Sequence, residues 1–295
     1  MIDLKSTAGL NAVLTDMKRT RLSASHKVTM VLGALLLAFG FSLGLSLIAV
    51  AQTPDPALAS LVDGPQRSDA NKMRDRYRHP LEVLTFFGVK ASSNVVEIVP
   101  GKAGYWTEIL APYLKERGRY TASGDGERDI APLKARIAAS PELYGKTAIS
   151  EFGGGDQDIA PPGSADFVLT FRNIHDWMRD GTVDAAFRSY YRALKAGGVL
   201  GLEDHRGRPD QPQDPQAKSG YVRQDYAVAL AEKAGFKFIG SSEVNANPKD
   251  TKDYPEGVWT LPPTYRLKDQ DREKYSAIGE SDRFVLMFRK PLEAE

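Results

Sequence analysis

Histidine is scarce in this chain, with four in 295 residues. His26 belongs to the N-terminal segment; His79 sits in a predicted N-terminal cap, and His175 and His205 follow two apolar runs. Each of the last two has an acidic neighbour, in His175-Asp176 and in Asp204-His205. Imidazole titrates near neutral pH, so either ring can remove a proton from an acceptor oxygen or nitrogen, with Asp176 or Asp204 to orient it. Two other uses of the same residues are open. His79, His175, Asp204 and His205 offer nitrogen and oxygen donors that a metal accepts, but their spacing fits no short metal motif, and no metal ligand is assigned. Alternatively the rings cap helices and hydrogen-bond strand ends. Just before His175, Asn173 can bond a cofactor or a substrate, and Arg172 can bind a substrate or pair with Glu203 or Asp204.

Such residues act together only if a frame places the ends of separate strands side by side. The stretch 95–110 supplies the first part: an apolar run with Glu97, a turn at Pro100-Gly101, then a helix with Ile109, Leu110 and Leu114 on its apolar face. Pro112 removes one bond of that helix, the one to the Glu108 carbonyl. Strands are predicted at 119–123, 147–152, 166–171, 199–202, 236–239 and 283–289. Helices are predicted at 130–139, at 183–195 with a stop at Gly197-Gly198, and at 221–234 closed by Gly235. A shorter helix starts at Pro80, carries Leu81, Leu84 and Phe87, and ends at Gly88. Strands alternating with helices imply a parallel sheet covered on both faces. In such a sheet the ends of the fourth and fifth strands share an edge with the Glu97 loop, so His175 and His205 should face one cleft. About 40 residues separate the sixth and last strands, long enough to form a lid, with Trp259 on it.

A hydrophobic content of 42% suits one substantial core. The formal charge is +1, but residues 1–51 hold five Lys/Arg and two Asp, which leaves 34 basic against 36 acidic residues beyond them. A near-neutral body gives no electrostatic case for nucleic acid as a partner. The first 51 residues read as a secretory leader: a basic segment 18–27, an apolar run 28–50 and the small residues Ala49-Val50-Ala51. Cleavage near Ala51 would release a periplasmic body, whereas an uncleaved run would anchor it in the inner membrane with the body outside, the chain's one membrane contact. Cysteine is absent, so no disulfide and no lipidated cysteine is available. Residues 52–75, rich in Pro, Ala, Asp and Arg, are expected to be an exposed lead-in to a domain at 76–295.

Taken together, the strand ending at Glu97 with its Pro-Gly turn, Asp166-Phe-Val-Leu-Thr-Phe-Arg-Asn173-Ile-His175-Asp-Trp177, Gly197-Gly-Val-Leu-Gly-Leu-Glu-Asp204-His205-Arg206 and the final Phe-Val-Leu-Met-Phe resemble a class I S-adenosylmethionine-dependent methyltransferase. More narrowly, over about residues 70–290 the chain resembles the exported bacterial proteins described as predicted methyltransferases. The resemblance implies a Rossmann-like sheet of seven strands with helices on both faces and the last strand antiparallel. It further implies S-adenosyl-L-methionine as cofactor and a small-molecule acceptor. The loop from Glu97 through Gly101 to Gly104 would surround the methionine end of the cofactor, Asp125 would hold its ribose, and Asn173 would contact it. His175, Asp204 and His205 would be catalytic, with His79, Arg172 and Trp259 near the substrate. Val99 and Ala103 stand where the family's loop carries glycine, so only Gly101 is in register, and Val99 is expected to push on backbone that passes the cofactor. A dinucleotide fold fits less well, because its third glycine would be Trp106. A binding protein, a non-methylating enzyme or a metal-dependent enzyme on the same fold is the alternative.

Overall fold

The computed structural model describes residues 53–292. The leader and its cleavage point therefore lie outside the described residues, among which no helix is long and apolar enough to cross a membrane. The strands are β1 (Asn94–Ile98), β2 (Arg119–Gly124), β3 (Ala148–Glu151), β4 (Ala165–Phe171), β5 (Leu194–His205), β6 (Lys237–Ser242) and β7 (Arg283–Arg289). They form one sheet in the order β3-β2-β1-β4-β5-β7-β6. β1 to β5 pair in parallel, and β7 enters antiparallel between β5 and β6. After β3 the chain crosses back to lay β4 on the other side of β1. That reversal opens a crevice beyond the carboxyl ends of β1 and β4.

Side chains alternate across each strand, which explains why the strands read as unbroken apolar runs: both faces are buried. Val96, Ile98, Val168 and Leu200 point into a core covered by Phe187 and Tyr190 of the helix Val183–Ala193 and by Leu230 of the helix Gln224–Lys233. Val95, Leu169 and Val199 point into the opposite core, with Val83, Leu84 and Phe87 of the helix Pro80–Phe87 and with the helix Thr107–Leu114, whose residues are all buried. Gly201 permits this second layer to sit close, since a Cβ there would lie 2.7 Å from Leu169 and 2.9 Å from Phe87.

Three expectations are corrected. The stretch 52–75, expected as an exposed lead-in, is only partly exposed: from residue 56 on the chain forms the short helices Pro56–Val62, Asp69–Lys72 and Asp75–Arg78. Leu58 and Val62, one helical turn apart, enter the core, and Gln66 Nε2 donates to the Glu108 carbonyl that Pro112 leaves free (3.4 Å). Glu108 itself draws the segment in by accepting from Asn71 Nδ2 (2.8 Å) and the Ser68 N–H (3.1 Å). The helix after β4 ends at Ala193, and β5 starts at Leu194, running through the two glycines, with Gly197 at φ 77°. The next helix starts at Gln224 because Val222 is held as a bridge to Arg206 and its N–H donates to the His205 carbonyl (2.8 Å).

Candidate active site

A cavity of about 350 Å³ opens at the crevice. The loop after β1 forms one side, and the residues after β4 and β5 form the other. Val258 and Trp259, from the 3-10 helix Gly257–Thr260, also line it.

On the β1 side, Glu97 is buried at the end of its strand and accepts hydrogen bonds from Tyr120 Oη and from Thr107 Oγ1 (3.5 Å). Burial pushes its carboxyl up to about 7, against the pull of those hydrogen bonds. Val99 adopts φ 45°, a left-handed conformation that a β-branched residue rarely takes. Its N–H donates to the Ser123 carbonyl at 2.7 Å, which ties it to β2. Gly101 (φ 67°) leaves open space where a Cβ would stand, whereas a Cβ on Gly104 (φ 57°) would meet Arg136 at 3.1 Å, away from the cavity wall. Trp106 is buried and stacks on Phe171 at 4.1 Å, which joins the loop to the end of β4.

On the other side, Asn173 fastens the two strand ends: Nδ2 donates to the Ile98 carbonyl (3.0 Å) and to Thr170 Oγ1 (3.1 Å). Asp204 is fully buried and accepts four hydrogen bonds. Ile174 and His175 donate their backbone N–H to Oδ2 (2.8 and 3.3 Å), and the His205 N–H and His175 Nδ1 donate to Oδ1 (2.7 and 2.9 Å). A carboxylate only accepts, so His175 carries its proton on Nδ1 and presents a free Nε2. Burial opposes charge on His175, but Asp204 outweighs it and raises its pKa above the ordinary value. His205, whose ring centre lies 5.2 Å from that of His175, is driven well below its ordinary value by burial and then by the charge on His175; its Nδ1 bonds Ser281 Oγ. The ligand atoms of His175, Asp204 and His205 lie within 4.8 Å of one another. Four hydrogen bonds nevertheless use the acceptor capacity of Asp204, so these three fit a cation poorly.

Of the residues singled out from sequence, Glu97, Gly101, Asn173, Arg172, His175, His205 and Trp259 line the cavity, with Asp204 directly behind the histidines. The edge of Trp259 faces His175 with ring centres 5.9 Å apart. Gly104, Asp125 and His79 are not on the wall. Asp125 directly follows β2 and pairs with the exposed Arg128 at 3.6 Å. His79 Nδ1 donates to Asn245 Oδ1 (3.0 Å), and Asn245 in turn donates to Glu203 (2.6 Å), so the ring props the β5 end from behind. Arg172 does not pair with Glu203 or Asp204, which are taken by Arg283 and His175; it sits at φ 63° with its N–H on the Glu203 carbonyl (2.7 Å). Sequence reasoning missed Arg74, Arg78, Glu280 and Ser281, all on the wall. The signal was the run of basic residues just before Pro80 and the Glu280-Ser281 pair just before the last strand.

No protein-family model matches the chain, and no curated protein does either. Solved structures do match. A SAM-dependent methyltransferase from Aquifex aeolicus superposes with a TM-score of 0.52 at 16% identity, over 81% of this chain and 100% of that one. The [4+2]-cyclase SpnF gives 0.54 at 17%, over 80% and 92%. An arsenic(III) S-adenosylmethionine methyltransferase from Chlamydomonas reinhardtii gives 0.50 at 17%, over 82% and 76%. At these identities the likeness is one of fold, and together with the strand order it makes the chain's architecture that of the class I S-adenosylmethionine-dependent methyltransferases.

Proposed function

We propose that the protein transfers a methyl group from S-adenosyl-L-methionine to a small acceptor. The observation that carries this reading is one cavity on a methyltransferase fold that joins the left-handed loop after β1 to the Asp204–His175 pair after β5 and β4. S-adenosylmethionine, when bound, supplies an electrophilic methyl on a sulfonium. Glu97 and the backbone of 99–103 would hold its amino-acid end, and the open face of Gly101 leaves room for close approach. His175 Nε2 takes the proton that the acceptor oxygen or nitrogen loses as its bond to the methyl forms, and Asp204 stabilises the resulting imidazolium. Trp259 and the Trp106–Phe171 stack keep water from the reacting atoms.

Val99 and Ala103 in place of glycine favour a second reading, a binding protein or a non-methylating enzyme on this fold, and SpnF shares the fold as a [4+2]-cyclase. Calorimetric titration of the full chain with S-adenosylmethionine and S-adenosylhomocysteine separates the readings. Stoichiometric heats are expected; none at millimolar ligand sinks the methyl-transfer reading, and binding without transfer of labelled methyl to a small-molecule extract supports the second. We further propose an envelope location for the body, on the basic and apolar segments of residues 18–50. N-terminal sequencing of protein from cell fractions is expected to start at Gln52 in the periplasm, or upstream in the inner membrane if the segment is retained; an unprocessed chain in the cytosol would refute export.

A further inference from the structure

Resting on the methyl-transfer reading, we propose that the acceptor carries an oxyanion, a carboxylate or a phosphate, which Arg172 binds together with Arg74 and Arg78. All three guanidinium-bearing residues line the cavity, and of the carboxylates on its wall Glu97 is held by Tyr120 and Thr107 and Asp176 by Arg179 (2.6 Å), which leaves Glu280 to pair with them. Glu280 serves Arg74 (2.6 Å), Arg78 (3.5 Å) and, from behind, Arg283 (3.2 Å). Glu203 is taken by Arg283 (3.3 Å) and Asn245 (2.6 Å), and Asp204 by His175. Among the described residues Arg172 has no ion-pair partner within 4.0 Å. Arg74 Nη2, Arg78 Nη2 and Arg172 Nε are buried nitrogens without a hydrogen-bond partner.

Burying three cations side by side with Glu280 as their nearby counter-charge is costly: burial and the neighbouring guanidinium groups lower the pKa of both Arg78 and Arg172, against the pull of Glu280. An incoming oxyanion removes that cost and receives forked N–H donors, which suit a planar carboxylate or a phosphate face. The position of Arg172 selects acceptor over cofactor. It directly follows β4 and stands three residues before His175, the base expected to act on the acceptor. A cavity of about 350 Å³ restricts the ligand to a small molecule.

Calorimetry of the full chain, with and without S-adenosylhomocysteine, tests this with inorganic phosphate and succinate as probes and chloride at matched ionic strength as control. At least one probe is expected to bind saturably and to weaken about tenfold or more in R172Q, with S-adenosylhomocysteine affinity unchanged. R172Q should fold, since among the described residues the Arg172 side chain forms no ion pair; R74Q is expected to weaken the same probe and carries the test if R172Q does not fold. Probes that bind both variants as they bind the natural chain, or no better than chloride, overturn the proposal. It is also overturned if R172Q weakens S-adenosylhomocysteine and the probes compete with it, because the arginines then serve the cofactor's own carboxylate. Arginine-dependent probe binding with no S-adenosylhomocysteine binding instead refutes methyl transfer and leaves the oxyanion site standing.

Discussion

The two sides of the cavity are made of different material. Beyond β1 the wall follows the backbone path of a turn: Val99 and Gly101, on the wall, hold left-handed φ angles, as does Gly104 behind it, and the turn is pinned by the Val99 N–H on Ser123 and by the buried Glu97–Tyr120 bond. Beyond β4 and β5 the wall is side chains, and their positions depend on single atoms, above all the two oxygens of Asp204. A backbone site tolerates a change of residue as long as the chain keeps its path. Val99 illustrates this, since it holds a left-handed φ of 45° that glycine adopts readily. A side-chain site has no such tolerance, because one altered donor or acceptor changes a tautomer.

The largest expected effect therefore lies on the side-chain wall. Asp204→Asn puts an N–H2 where only acceptors fit, and kcat for methyl transfer should fall about 10²- to 10⁴-fold. The pH dependence sharpens the point. His175 works as a base only when neutral, and its pKa is raised above the ordinary 6.5, so kcat should rise with pH through that raised value. The stabilising contribution of the His175–Asp204 pair runs the other way: fully present below the unfolded value, lost as pH rises through the folded one. In Asp204→Asn the rising limb should move to lower pH; an unmoved limb in a pH–rate profile would mean that the base is elsewhere.

On the backbone wall the effects should be small and of unusual sign. At φ 45° a Cβ is strained, so Val99→Ala loses side-chain packing and keeps the strain, while Val99→Gly loses the packing and releases it. Thermal or denaturant unfolding should find the glycine variant more stable than the alanine one by about 1 kcal/mol, the reverse of the order inside a helix or strand. The glycine variant should also bind S-adenosylhomocysteine within a few-fold of the natural chain. A large loss would show that the valine side chain, and not the path of the loop, makes the contact.

Most of the sheet is legible in the residues. The apolar run of Val95 and Val96, buried on opposite faces of the sheet, the Pro80 and Gly88 signals that bound Pro80–Phe87, and the run Arg283–Arg289 are local patterns, and local patterns decide whether a segment can be a strand or a helix. Where two local signals compete, reading fails. The polar composition of residues 52–75 hid the turn-spaced Leu58 and Val62, and the apolar Tyr221 and Val222 suggested helix although a bridge to Arg206 takes them.

By itself, then, the sequence determined the strand ends, and with them the fact that His175, Asp204, His205 and Glu97 emerge on one edge of a parallel sheet. Only the tertiary structure decided what those residues are to one another. The donors to Asp204 come from up to 30 residues away, and Arg74 meets Glu280 across 206. No periodicity reaches that far, because such pairs are brought together by the packing of β7 and of the N-terminal helices on the sheet rather than by any local preference of the chain. The same packing holds Val99 in a conformation its own side chain disfavours and, among the described residues, leaves Arg172 on the cavity wall without an ion-pair partner.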